Sequence, residues 1–259
     1  MDDTASGADP MDILHCESLS KSFGGVRALA GVTLTFPDSG IVAIIGPNGA
    51  GKTTFLNVLT GFVRVDSGRC KLGSDEISSL APYRIARLGI ARTFQNLRLI
   101  YQIPVLENLM LAYPRQSGEK LRFALTRHNV SQEERANRER ADELLRFIAL
   151  DARASSLVGE LSYGQQKLLS MACCLATGAR ILLLDEPVSG VDPVMATQIL
   201  GLLRKLKGSG KLVIFIEHNI ASVREVADRV IVFDAGRVIA DGPPADVLQR
   251  PAILEAYIG

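Results

Sequence analysis

The chain has 259 residues, 47% of them hydrophobic, with 29 basic and 28 acidic side chains for a net charge of +1. This length and apolar content allow a sizeable core in one large or two small domains and exclude global disorder, and the balanced charge gives no nucleic-acid footprint. No apolar run approaches the roughly 18 residues that a membrane-spanning helix needs. Residues 1–10 are short, acidic and rich in small side chains, without the basic and apolar regions of a secretory leader, and are expected to be a disordered tail. Cys16, Cys70, Cys173 and Cys174 lack C-x-x-C spacing and only His15, His128 and His218 accompany them, so free thiols in a reducing compartment are expected rather than a zinc site.

In chain order, residues 12–19 and 31–36 read as strands, with turn signals at Gly24-Gly25 and over residues 37–40. Residues 41–45, Ile-Val-Ala-Ile-Ile, form a short continuous apolar run, the pattern of a parallel strand buried on both faces. Directly after it stands Gly46-Pro47-Asn48-Gly49-Ala50-Gly51-Lys52-Thr53, which fits the phosphate-binding pattern G-x-x-x-x-G-K-[ST], and residues 53–59 read as a helix. Strand, glycine loop and helix start are what phosphate binding requires. Glycines let successive N–H groups turn inward, and the helix N-terminus adds partial positive charge. Lys52 reaches for the outer phosphates, and the Thr53 hydroxyl, followed by Thr54, is placed for Mg²⁺.

Residues 69–72 and 90–94 are further strand candidates. Helices are expected at 106–112, 121–127 and 132–150, so that about 104–178 reads as an all-helical subdomain inserted in an α/β core made of 11–103 and 179–259. The α/β alternation resumes with strands at 181–184, 212–216 and 230–233 and helices at 193–206 and 220–227. Two short helices are expected over 243–258. The strand at 181–184 ends in Asp185-Glu186-Pro187. An acid at such a strand end holds Mg²⁺ in phosphate-loop proteins, which fits Asp185, and Glu186 is then placed to orient or deprotonate water.

Leu161-Ser162-Tyr163-Gly164-Gln165-Gln166 precedes an apolar helix that Ser162 would cap. The hexapeptide resembles the LSGGQ signature of ATP-binding-cassette (ABC) ATPases, with Tyr163 in place of the first glycine. The tyrosine form resembles the branch that powers uptake of branched-chain and other hydrophobic amino acids, as do residues 87–99 and 253–259. The resemblance spans residues 12–258 and implies a phosphate-loop NTPase core of the ABC type, with an antiparallel N-terminal β part and the helical insertion. By the same resemblance, Phe23 would stack on adenine, Gln95 is the Q-loop glutamine that reaches the metal, and Ser189-Gly190-Val191-Asp192 is the D-loop. His218 is the switch histidine that senses the γ-phosphate.

The resemblance further implies ATP and Mg²⁺ as ligands and a head-to-tail pair with a second ATPase subunit, as a homo- or heterodimer, in which Leu161 to Gln165 of one protomer face ATP held by the other. Integral membrane permease subunits and, indirectly, a solute-binding protein are the implied partners, with the chain peripheral on the cytoplasmic face of the cell membrane and no nucleic acid involved. The alternatives are the ATPase of a lipid or lipopolysaccharide exporter, or a soluble ABC ATPase not tied to transport. Leu168 and Cys173 depart from arginines common in the family, and Val191-Asp192 departs from the branch's Leu-Asn.

Overall fold

A computed structural model describes residues 12–93, 97–114, 127–250 and 253. The expected tail at 1–10, most of the expected helix at 121–127, Phe94, Gln95 and nearly all of 251–259 lie outside these residues.

Strands β1 (Asp12–Phe23) and β2 (Val26–Pro37) form a long antiparallel hairpin, turned at Gly24 and Gly25 with φ of 53° and 86°. Strands β4 (Ser67–Leu72) and β5 (Asp75–Glu76) continue this antiparallel sheet in the order β2-β1-β4-β5. The second sheet is built from β3 (Gly40–Ile45), β6 (Ile90–Arg92), β7 (Ile181–Asp185), β8 (Leu212–Ile216), β9 (Arg229–Asp234) and β10 (Arg237–Gly242). Its order is β10-β9-β3-β8-β7-β6, parallel throughout except for the β9–β10 edge pair.

The parallel sheet is covered on both faces, as its unbroken apolar strands require. Alternation at period two divides the side chains between two cores. Ile41, Ala43, Leu182, Leu184, Val213 and Phe215 join one core, to which helices α5 (Tyr163–Ala176) and α6 (Pro193–Lys207) contribute. Val42, Ile44, Ile181, Leu183, Leu212 and Ile214 face the other, shared with helix α1 (Lys52–Leu59) and the antiparallel sheet. Phe55 of α1 lies between Phe36 and Phe233, with ring centroids 6.2 and 5.5 Å away, and this aromatic row fixes the helix under the phosphate loop.

Between β6 and β7 the described chain is helical: α3 (Val105–Leu111), α4 (Arg127–Phe147) and α5 pack on one another. Helix α4 starts before the expected residue 132 and ends before 150, where Ala149 takes a left-handed φ of 57°. Besides 3-10 turns at Asp151–Arg153 and Val158–Glu160, three described elements lie outside the sequence expectation: β5, β10 and the short helix α2 (Pro82–Arg87). Each buries little, with only Ile85 buried in α2 and only Ala240 in β10, so no apolar period marks them. Beyond α7 (Ile220–Val226), the chain ends its described part with α8 (Pro244–Val247) and a helical Ile253. The four cysteines are free thiols.

Candidate nucleotide-binding site

The loop between β3 and α1 is shaped by backbone contacts that exclude side chains. A Cβ on Gly46 would stand 2.1 Å from the Phe233 carbonyl oxygen, and one on Gly51 2.2 Å from that of Ala28. Both glycines also hold positive φ, at 149° and 102°. The loop is tied down by Ala50 N–H to Pro47 O at 3.2 Å and Gly236 N–H to Ala50 O at 3.0 Å. Asn48 and Gly49 are exposed and Pro47 half-buried. Gly51 caps α1 without a side-chain hydrogen bond, and the first turn carries no acid, so its N–H groups and dipole are directed at any anion in the loop.

Lys52 is buried. Its Nζ donates to the carbonyls of Gly46 at 2.6 Å and Pro47 at 2.8 Å, so the ammonium closes the loop on itself. Burial lowers its pKa, and the negative charges of Glu186 and Asp185 oppose that shift. Thr53 is exposed and Thr54 half-buried at the start of the helix.

Asp185 closes β7. Its Oδ2 accepts from Arg92 at 3.0 Å in an ion pair that is almost fully buried. Arg92 also donates to Asn57 Oδ1 at 2.7 Å and so joins the end of β6, helix α1 and the acid. Burial lowers its pKa against the pull of Asp185. Glu186 follows with a left-handed φ of 51°, and its Oε1 lies 3.2 Å from His218 Nε2. The strand ends of β3, β8 and β7 are neighbours in the sheet, which is why residues far apart in sequence meet here.

Ser162 caps α5 in a reciprocal box: its Oγ accepts from Gln165 N–H at 3.3 Å, while Gln165 Oε1 accepts from Ser162 N–H at 3.0 Å. Leu161 is buried beneath this turn and Tyr163 is exposed above it. A Cβ on Gly164 would fall 2.2 Å from Met195 Cγ, so close contact with α6 requires glycine there. In the following loop, Gly190 at φ 72° passes beneath the Tyr163 ring, and Asp192 caps α6 by accepting from Met195 N–H at 3.0 Å. Ser189 and Val191 complete that loop. Phe23 stands at the tip of β1, 48% exposed, with Lys21 Nζ 5.3 Å from its ring centroid. Gln95 lies outside the described residues.

The family model described as "ABC transporter" matches residues 29–189, more than half of the chain. The chain belongs to the ABC transporter family. It is 37% identical over 249 residues to the high-affinity branched-chain amino acid transport ATP-binding protein BraF of Pseudomonas aeruginosa, covering 95% of this chain and 98% of that protein. It superposes on the crystal structure of a nucleotide-free ATP-binding cassette from an ABC transporter with a TM-score of 0.84 and 34% identity, over 96% of this chain and 100% of that one. A dimeric cassette in a post-hydrolysis state, bound to ADP and phosphate, matches at a TM-score of 0.74 and 27% identity, over 90% of this chain and 99% of that one.

Within this ABC cassette, sequence reasoning gave no role to Arg92, Lys167 or Glu217. Lys167 and Glu217 are both buried, at 7% and 1% exposure. The available signal was a single charge inside or at the end of an apolar run, since such residues are almost never buried without a partner. Among the described residues no group of three His, Cys, Asp or Glu side chains could hold a metal by itself. Mg²⁺ beside a nucleotide does not need one: it takes one or two carboxylates, a hydroxyl and phosphate oxygens. Asp185 and the exposed Thr53 hydroxyl are hard oxygen donors of that kind and fit the ion.

Proposed function

We propose that this ABC cassette is the ATP-hydrolysing subunit of a membrane transporter that takes up branched-chain or other hydrophobic amino acids. The observation that carries the reading is the convergence of Lys52, Asp185, Glu186 and His218 at the ends of neighbouring strands β3, β7 and β8. In this reading the amides of Gly46 to Thr54 cradle the phosphates, and Lys52 turns from its own loop carbonyls to the outer phosphates. Glu186 orients and deprotonates the attacking water, while His218 senses the γ-phosphate beside it. Phe23 offers its exposed ring to adenine. Thr53 and Asp185, with Gln95, would hold Mg²⁺, which neutralises charge building on the phosphates.

The second half of each site comes from a partner ATPase subunit in head-to-tail array, a second copy or a different chain. The Leu161 to Gln165 turn of this chain faces the γ-phosphate held by the partner, its Ser189 to Asp192 loop lies beside it, and the partner's corresponding turn completes the site here. The dimeric cassette with ADP and phosphate supports such pairing. Helices α3 to α5 pass the nucleotide state to permease subunits, with the chain peripheral on the cytoplasmic membrane face. Among the described residues no helix is long and apolar enough to cross a membrane. The near-full-length likeness to BraF supports amino-acid uptake over lipid or lipopolysaccharide export.

The test is reconstitution in vesicles with candidate permease subunits and a solute-binding protein from the same organism. ATP-dependent accumulation of radiolabelled leucine is expected. ATP-dependent movement of lipid with no leucine uptake would replace this reading by the exporter.

A further inference from the structure

The Glu186 turn is strained, and the means by which it is held point to one side chain. Glu186 is not glycine, yet it holds φ 51°, a conformation that persists only where the surroundings over-determine it. Five hydrogen bonds do so. Glu186 N–H donates to Ile216 O at 3.0 Å, and Ser189 N–H donates back to Glu186 O at 3.3 Å. Val188 N–H donates at 2.8 Å to Oε1 of the buried Glu217. The last two come from a helix: Lys167 Nζ donates at 2.6 Å to Glu186 O and also at 2.5 Å to Ser189 O.

Lys167 lies on the first turns of α5, and its ammonium is taken out of water for these contacts. Burying an ammonium is unfavourable unless its donors are satisfied, so the two carbonyls and the lysine hold each other in place. The Tyr163 ring covers the ammonium, with Nζ 5.0 Å from the centroid. Tyr163, Lys167, Asp185, Glu186 and Ser189 together line one cavity of about 150 Å³. Tyrosine in the signature therefore has a physical task here: it roofs the cation that braces the Glu186 turn.

We propose that Lys167 is a positioning residue for ATP hydrolysis, bracing the strained Glu186 turn against the start of the signature helix so that the Glu186 carboxylate stays beside His218. The proposal rests on the reading of Glu186 as the water-activating group. It assigns Lys167 to turnover and not to nucleotide affinity, because Lys167 touches neither the phosphate loop nor Phe23.

The test compares Lys167→Met, Lys167→Gln and Lys167→Arg in the full chain, with Glu186→Gln as control. Binding is read by titration with a fluorescent ATP analogue in Mg²⁺, and turnover by phosphate release at saturating ATP. Methionine removes both donors and glutamine cannot span both carbonyls. Both variants should bind nucleotide as wild type does while kcat falls about ten- to hundredfold, the range that small misplacement of a catalytic group produces. Lys167→Arg keeps two donors and should restore most of kcat.

Wild-type kcat in Lys167→Met, beside an inactive Glu186→Gln, overturns the proposal and leaves the Glu186 reading intact. Normal turnover by Glu186→Gln overturns that reading itself. Parallel loss of binding and turnover, or failure of both the methionine and glutamine variants to fold, makes Lys167 part of the scaffold and also overturns the proposal.

Discussion

Lys52 illustrates how much a single side chain can do before any ligand arrives. Its ammonium satisfies two carbonyls of its own loop, at Gly46 and Pro47, so the nucleotide-free loop is already closed. A triphosphate offers charged acceptors in their place, and the gain on binding is the difference between the two sets. Charge-assisted hydrogen bonds contribute about 1.5–3 kcal/mol each, so Lys52→Ala should weaken Mg-ATP binding by about ten- to hundredfold or more. Isothermal titration reads this directly, and wild-type affinity would remove Lys52 from the phosphate site. Asp185 is held in a comparable waiting state by Arg92, in an ion pair that is almost fully buried.

Among the elements, α1 carries the loop and is itself held by the row Phe36, Phe55 and Phe233. Phe55→Ala empties the middle of that row and should destabilise the fold by about 3–5 kcal/mol, the usual range for a buried Phe→Ala. Denaturant unfolding measures it, and a loss under about 1 kcal/mol would mean that α1 is positioned by its backbone ties alone. Elements of this kind were the legible ones. Strand β3, the glycine loop, α1, β7 and β8 carry continuous apolar runs with glycine or acidic ends, and those patterns fix both the strand and its chemistry.

Strand β10 and helix α2 carry no such pattern, because each buries a single residue at the margin of the fold. The candidate site divides in the same way. Asp185, Glu186 and His218 stand at or just after strand ends and Lys52 opens α1 after the glycine loop, and all four can be found from sequence. Lys167 and Glu217 act on backbone groups of residues 186–189, a contact made by the meeting of α5, β7 and β8 that no local pattern encodes.

At the scale of the whole molecule, the two halves of the chemistry sit on separate parts of one chain. The phosphate loop and Glu186 gather at the sheet, while Ser162 opens α5 in a capping box. In the proposed pair, Ser162 serves a nucleotide held by the second subunit. Ser162→Arg should bind Mg-ATP as wild type does but fail to hydrolyse it, because an arginine there fills the space for the partner's γ-phosphate. The decisive measurement is the ATPase rate of an equal mixture of Ser162→Arg and Lys52→Ala proteins, each inactive alone. In a head-to-tail pair, every mixed dimer has one doubly damaged site and one intact site. Activity should return to about a quarter of the wild-type rate, since half the pairs are mixed and each holds one intact site. Mixed dimers that demonstrably form and yet hydrolyse no ATP, or a Ser162→Arg protein that is fully active by itself, would contradict it.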